Sequence, residues 1–122
     1  MRHRESQLQI FCMRWFHLQW PALRMLMFHP KNEGHGNRAA GAIAKAEGVV
    51  AGVADLVLLV PNAEHHCLCL ELKTEKGRQS KTQKEFQKVI EAAGGAYHIV
   101  RDIETFVSVV NEYLSKVKDI NL

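Results

Sequence analysis

The sequence predicts an α/β fold in which helices flank a mixed β-sheet. Apolar residues at helical spacing alternate along the chain with short runs of apolar and β-branched residues of strand length. The resulting order, α-β-α-β-β-α-β-α, is typical of helices packed on the faces of one sheet. The chain has 122 residues, and we interpret residues 1–122 as one domain because domains commonly contain about 100–200 residues.

The composition excludes several classes of protein. Hydrophobic residues make up 47% and charged residues 24%, which is ordinary globular usage and excludes a largely disordered or fibrous chain. The net charge of +3 is a slight indication of an anionic partner. Three cysteines without a framework spacing favour a reducing compartment, and no apolar run is long enough to span a membrane. We therefore expect a soluble cytoplasmic protein with no membrane partner.

The first half of the chain contains two predicted helices. Residues 5–20 form the first, with an apolar stripe of Leu8, Phe11, Cys12 and Trp15, and Pro21 ends it. Residues 23–28 are expected to be extended, and residues 29–36 form a loop. Asn37 is placed to cap a second helix over residues 38–47, which Gly48 ends.

The second half contains the predicted core strands. The last six or seven residues of 49–60 have the continuous apolar pattern of a buried strand, residues 61–65 form a turn, and residues 66–73 form the next strand. Ser80-x-x-Gln83 has the form of a capping box for a helix over residues 81–93, whose apolar face includes Phe86 and Val89. Residues 96–100 form a third core strand, and Asp102 caps the last helix.

The predicted hairpin brings charged residues together. If it is symmetric about Ala63, the numbers of opposed residues sum to 126, which pairs Asp55 with Glu71. Opposed residues share a face of the sheet with Cβ atoms roughly 4.5–5.5 Å apart, and Lys73 points to that face because it lies two residues beyond Glu71. Two carboxylates so close repel each other, and a hard divalent cation with oxygen ligands would compensate them. Gln83 is expected at the same place, on the sheet-facing side of its helix.

These residues resemble a known nuclease arrangement. Asp55 followed by Glu71-Leu72-Lys73 is similar to the core of the PD-(D/E)xK superfamily, although D-x15-E-x-K alone is a weak pattern. Residues 29–34 (HPKNEG), 48–56 (GVVAGVADL) and 80–86 (SKTQKEF) resemble successive motifs of its VRR-NUC branch, and Glu5 matches that branch's N-terminal glutamate. The resemblance spans residues 4–113. Lys31 departs from it by standing between Pro30 and Asn32, where the branch has a tighter P-N-E.

The resemblance implies a restriction-endonuclease-like fold and a stand-alone nuclease of the phage or bacterial type. It implies hydrolysis of phosphodiester bonds in DNA, with a homodimer acting on branched substrates such as four-way junctions. Mg²⁺ or Mn²⁺ would be held by the carboxylates of Asp55, Glu71 and Glu5 and the backbone carbonyl of Leu72. Lys73 would orient or deprotonate the attacking water and offset phosphorane charge, and Gln83 would position Lys73 or that water.

A set of basic residues is predicted to contact DNA phosphates, with a solvent-exposed charged face as the alternative. Its members are Arg38, Lys76, Arg78, Lys81 and Lys84, and His35 lies in the loop beside Arg38. Phe16 and Trp20 are expected in the core, with a dimer contact left open. His65, Cys67 and Cys69 suggest a zinc site, but their spacing favours strand packing.

Other readings of the chain remain open at this point. Asp55 also fits a turn aspartate, and Glu71 with Lys73 also fits an exposed pair on an edge strand. Glu5 also fits a first-turn helix glutamate, and Gln83 also fits a capping residue. The alternatives to an enzyme are a nucleic-acid-binding module without catalysis and an interaction domain.

Overall fold

Four strands form one sheet in a computed structural model that describes residues 2–30 and 38–118. The elements are α1 (Arg2–Gln19), a 3-10 helix (Pro21–Leu26), β1 (Met27–Phe28), α2 (Arg38–Ala46), β2 (Leu56–Leu58), β3 (Leu68–Leu72), α3 (Lys81–Ala92), β4 (Ala96–Val100) and α4 (Ile103–Leu114). The sheet has the order β1-β2-β3-β4. Its pairs β1–β2 and β2–β3 are antiparallel, and β3–β4 is parallel. The predicted fold class, a mixed sheet flanked by helices, is confirmed.

The register of the hairpin is the one that the sequence predicts. Leu56 pairs with Leu70, and Leu58 pairs with Leu68. Asp55 immediately precedes β2, and Glu71 lies on β3 directly after Leu70. The two acidic residues therefore lie at the same end of the hairpin.

The two faces of the sheet have different partners. Leucines at even-numbered positions of β2 and β3 are buried in the main core together with Cys12 and Phe16 of α1 and Phe106 and Val110 of α4. On the opposite face, Cys69 and Tyr97 form a smaller cluster, against which Phe86 of α3 packs. Because side chains alternate along a strand, Glu71 lies on this second face, beside α3.

Some side chains face differently from the prediction. Phe11 is 56% exposed, whereas Phe16 is fully buried, so the buried stripe of α1 is centred on Cys12 and Phe16. This burial excludes Phe16 as a dimer contact. Trp20 is half-buried and its Nε1 donates to Oδ1 of Asn111 at 3.3 Å. Val89, predicted on the apolar face of α3, is 68% exposed, so this prediction is wrong.

The extended segment predicted over residues 23–28 is wrong for most of its length. Pro21 begins a 3-10 helix that buries Leu23, and only Met27 and Phe28 form a strand. Proline fixes φ near the helical value and has no N–H to satisfy, so it starts a new helix as readily as it ends the previous one.

Both strands of the hairpin are shorter than predicted, and near the turn their backbone groups find partners outside the β2–β3 ladder. The N–H of Leu59 donates to the carbonyl of Leu26 at 2.8 Å, and that of His66 to the carbonyl of Gly94 at 3.0 Å. The hydroxyl of Tyr113 donates to the carbonyl of Val60 at 2.6 Å. Oδ1 of Asn62 accepts from the backbone N–H groups of Glu64 and His65. These backbone groups are therefore satisfied outside the sheet ladder.

The predicted caps of the later helices are confirmed. Oδ1 of Asp102 accepts from the N–H of Thr105 at 2.7 Å. Gly48 follows α2 with φ of 106°, a conformation that favours glycine. Asn37, Lys31 and His35 lie outside the described residues. Within residues 2–30 and 38–118, no helix combines the length and apolar character needed to cross a membrane.

Candidate active site

The carboxylate of Asp55 is held by the neighbouring strand. Its Oδ2 accepts a hydrogen bond of 2.7 Å from the backbone N–H of Leu72. The backbone carbonyl of Asp55 accepts from Nδ1 of His29, which follows β1. The residue is thus fixed on both sides, and its carboxylate reaches the end of β3 that carries Glu71.

Glu71 is buried, with 1% of its surface exposed, and the side chains of Gln83, Lys73 and Tyr97 contact its carboxylate. Its Oε2 accepts from Nε2 of Gln83 at 2.9 Å and lies 3.8 Å from Nζ of Lys73. Its Oε1 accepts from the hydroxyl of Tyr97 at 3.3 Å. The carboxylate therefore has a fixed orientation between β4 and the start of α3.

Gln83 both caps α3 and contacts Glu71, which forms an acidic pair with Asp55. Its Oε1 accepts from the N–H of Ser80 at 2.8 Å, and its own N–H donates to Oγ of Ser80 at 3.2 Å. The capping box leaves Nε2 free to donate to Glu71. The capping box and the contact with Glu71 therefore coexist in one side chain. The catalytic role expected for Gln83 stays a prediction.

Gly52 allows the start of α3 to approach the hairpin. Its φ is 83°, and a Cβ at this position would lie 2.3 Å from the carbonyl oxygen of Thr82. Only glycine accommodates both this conformation and this close contact. The approach brings Gln83 to Glu71.

The acidic residues border an open cleft of about 440 Å³. Its lining comes from five parts of the chain and includes Glu5, His29, Asp55, Glu71, Ser80 and Gln83. Lys73 lies beside the cleft against Glu71 and is 9% exposed. Among the described residues, no three His, Cys, Asp or Glu side chains are already arranged as a metal-binding group. Glu5 therefore shares the cleft with Asp55 and Glu71 without completing a ligand cluster.

The positive charge of Lys73 does not balance the negative charges of Asp55 and Glu71. Burial, followed by the charge and hydrogen bonding of Asp55, raises the pKa of Glu71 to about 8, against the opposing effects of Lys73 and Tyr97. At neutral pH and without a cation, Glu71 therefore holds a proton. A divalent cation fits this donor set, because it binds to carboxylate oxygens and supplies the charge that Lys73 alone does not.

This pKa predicts how the metal-free protein responds to pH. The pKa of Glu71 rises from 4.5 to about 8 on folding, so the folded chain keeps a proton that the unfolded chain releases. The contribution of Glu71 to the free energy of unfolding should therefore be fully present below about pH 4.5 and be lost as the pH rises to about 8. Thermal unfolding in EDTA at pH 5.5 and pH 8 measures the effect.

Glu71→Gln should remove most of this pH dependence, because glutamine resembles the protonated acid in shape and does not titrate. Glu64→Gln is the control, since Glu64 is exposed and paired with Lys116 and its pKa is lowered. An equal slope in wild type and Glu71→Gln would contradict the assignment.

The predicted DNA-contacting residues are all exposed. Within the described part of the chain none of them forms an ion pair; they are Arg38, Lys76, Arg78, Lys81 and Lys84. Lys81 is the first residue of α3 and adjoins Ser80 and Thr82 of the cleft lining. The loop after Lys73 is fixed by Arg101, whose Nη1 donates to the carbonyls of Thr74 and Gly77 at 2.7 Å.

Three residues of this region were missed by sequence reasoning. His29 had a weak signal, because it opens the HPKNEG segment. Tyr97 and Arg101 had none. Their proximity to the site depends on the parallel pairing of β4 with β3, in which Tyr97 pairs with Cys69. Burial raises the pKa of Tyr97, so its hydroxyl stays protonated and can donate to Glu71.

The fold and the cleft together define an α/β protein with an acidic pair at one end of its sheet. Among solved structures, the chain is similar to one named "VRR_NUC domain protein", with a TM-score of 0.81 and 23% sequence identity over 93% of this chain and 89% of that one. The chain therefore has the VRR-NUC domain fold, as its sequence motifs predicted. No protein-family model matches the sequence, and no curated protein matches it.

Proposed function

We propose that this protein is a metal-dependent endonuclease that hydrolyses phosphodiester bonds in DNA. One observation carries the proposal. Asp55 and Glu71 share one end of the hairpin, with Nζ of Lys73 at 3.8 Å from Glu71, beside an open cleft. The fold supports it, since the similar solved structure carries the name of a nuclease domain.

The proposed metal is Mg²⁺ or Mn²⁺. Asp55 and Glu71 would hold it with the backbone carbonyl of Leu72, and Glu5 would take part directly or through water. When bound, such a cation polarises a phosphoryl oxygen and lowers the pKa of a coordinated water. The proton on Glu71 would leave on binding, because only the ionised carboxylate is a good ligand.

The protein's own residues have distinct proposed roles. Lys73 places an ammonium group beside Glu71, where it can orient the attacking water and stabilise charge that develops on phosphate oxygens. Gln83 donates to Glu71, so we assign it the orientation of that carboxylate instead of a direct contact with Lys73 or water. Asp55 is held by the N–H of Leu72, which keeps its carboxylate at the site.

The basic residues around the cleft would bind the DNA backbone. Replacing Lys81 and Lys84 together by alanine should weaken DNA binding and reduce the slope of log affinity against log salt by about 1 for each lysine. Binding measured over a series of salt concentrations tests this. Lys116→Ala is the matched control, because Lys116 pairs with Glu64 and Glu112. An unchanged slope in the double variant would remove these two lysines from the interface.

The proposed substrate is branched DNA, such as a four-way junction, cut by a homodimer. The support is the sequence resemblance to stand-alone members of the VRR-NUC branch. A two-fold dimer presents two identical sites in opposite orientations, which suits paired cuts in two strands.

The test is a panel of labelled duplex, flap, single-stranded and four-way-junction DNA with Mg²⁺ or Mn²⁺. Cleavage in the interior of a strand, blocked by EDTA, is the expected result, with the junction cut fastest. Binding without cleavage of any substrate would instead favour the alternative function, a nucleic-acid-binding module without catalysis. Preferential cleavage of linear duplex would contradict the branched substrate alone.

A further inference from the structure

Tyr97 occupies a position that the proposed mechanism leaves unused. It lies on β4 with 6% of its surface exposed. Its ring packs at 6.4 Å from that of Phe86 on α3. Its hydroxyl donates to Oε1 of Glu71 at 3.3 Å. The tyrosine therefore contacts one carboxylate oxygen of Glu71, whereas Gln83 and Lys73 both lie against the other, Oε2.

The hydroxyl of Tyr97 is itself held in place. It accepts from Nε2 of Gln79 at 3.2 Å, and the same Nε2 donates to Oε1 of Gln87 at 2.8 Å. Nε2 of Gln87 in turn donates to Oε2 of Glu91 at 3.3 Å. Because Gln79 supplies the donor, the hydroxyl proton of Tyr97 is directed at Glu71. A chain of hydrogen bonds thus runs from the surface of α3 to the buried carboxylate.

We propose that Tyr97 is a positioning residue that fixes the plane of the Glu71 carboxylate for metal binding, and that Gln79 orients its hydroxyl. Each carboxylate oxygen has two lone pairs, so the hydrogen bond to Oε1 leaves a lone pair for a cation. With Gln83 on one oxygen and Tyr97 on the other, rotation of the carboxylate is restricted. Such second contacts orient ligands at metal sites generally. The inference rests on the proposed function, because it requires a cation at Glu71.

The chain offers a matched pair of tyrosines for the test. Tyr97→Phe removes the hydroxyl and keeps the ring against Phe86. Tyr113→Phe removes another buried hydroxyl, which donates to the carbonyl of Val60 near the turn of the hairpin. Gln79→Leu keeps Tyr97 and removes the donor to its hydroxyl, together with the hydrogen bond from Gln79 to Gln87 on the surface of α3.

The measurement is calorimetric titration of Mn²⁺ into each protein, with thermal unfolding in EDTA as a check of folding. Tyr97→Phe should bind Mn²⁺ about 10–100-fold more weakly than wild type, Gln79→Leu should be weakened less, and Tyr113→Phe should be unchanged. Raising the Mn²⁺ concentration should restore most of the cleavage rate of Tyr97→Phe, which a merely structural defect would not allow.

Failure of the inference about Tyr97 can be distinguished from failure of the proposed function. Equal or tighter binding by Tyr97→Phe, with wild type binding normally, would overturn the role of Tyr97 and leave the proposed function intact. A wild-type protein that binds no Mn²⁺ would overturn both. If Tyr97→Phe does not fold, Gln79→Leu provides the test instead. A wild-type affinity for Mn²⁺ in Gln79→Leu would then overturn the inference.

Discussion

Lys73→Ala should reduce the rate of DNA cleavage by about 10²–10⁴-fold, the range expected for loss of a group that acts on the reacting water and phosphate. The ammonium of Lys73 lies 3.8 Å from Glu71 and is 9% exposed. It therefore adds little to the surface charge that attracts DNA, and DNA affinity should change little. Single-turnover cleavage with Mn²⁺ gives the rate, and binding in EDTA gives the affinity.

Lys116→Ala is the control for this variant. Lys116 is a surface lysine whose ion pairs are with Glu64 and Glu112, so its removal should leave cleavage unchanged. A Lys73→Ala protein that retains a tenth or more of the wild-type rate would show that Lys73 is not part of the chemistry.

Gly52→Ala should be the most destabilising small substitution near the site. The left-handed backbone costs a non-glycine residue about 1–2 kcal/mol, and overpacking typically costs a further 1–3 kcal/mol or so. A new Cβ would lie 2.3 Å from the carbonyl oxygen of Thr82 and 2.8 Å from the backbone nitrogen of Gln83. The melting temperature should therefore fall by more than about 10 °C.

Gly48→Ala separates the conformational cost from the overpacking cost in the stability lost by Gly52→Ala. Gly48 also has a positive φ, of 106°, but a Cβ there would meet nothing within 4 Å. It should show only the conformational cost and keep full activity. Gly52→Ala should lose activity even at temperatures where it is folded, because its Cβ pushes Gln83 away from Glu71. Equal melting temperatures for the two variants would contradict the close approach at Gly52.

Much of the fold could be predicted from local patterns. The register of the hairpin followed from symmetry about Ala63 and from the alternation of side chains, so the proximity of Asp55 and Glu71 was predictable. The capping box at Ser80 and Gln83 was equally local, since both of its bonds lie within four residues.

The remainder depended on contacts between distant parts of the chain. The exposure of Phe11, which the predicted stripe included, reflects how α1 packs against the sheet and α4, which helical spacing alone does not determine. Tyr97 reaches Glu71 only through the parallel pairing of β4 with β3. The sequence places Gln83 at the site through its sheet-facing position, but no spacing rule indicates the close approach at Gly52 that accompanies its contact with Glu71.

The proposal that Asp55 and Glu71 form a metal-dependent nuclease site is tested most directly by cleavage of labelled DNA with Asp55→Asn. Asparagine keeps an oxygen that can accept from the N–H of Leu72, so the hairpin should fold, but it removes one of the two negative charges that would bind the cation. With Mn²⁺ present, we predict cleavage by wild type and a loss of about a hundredfold or more in the folded variant. Cleavage by Asp55→Asn at the wild-type rate, or EDTA-resistant cleavage by wild type, would contradict the account.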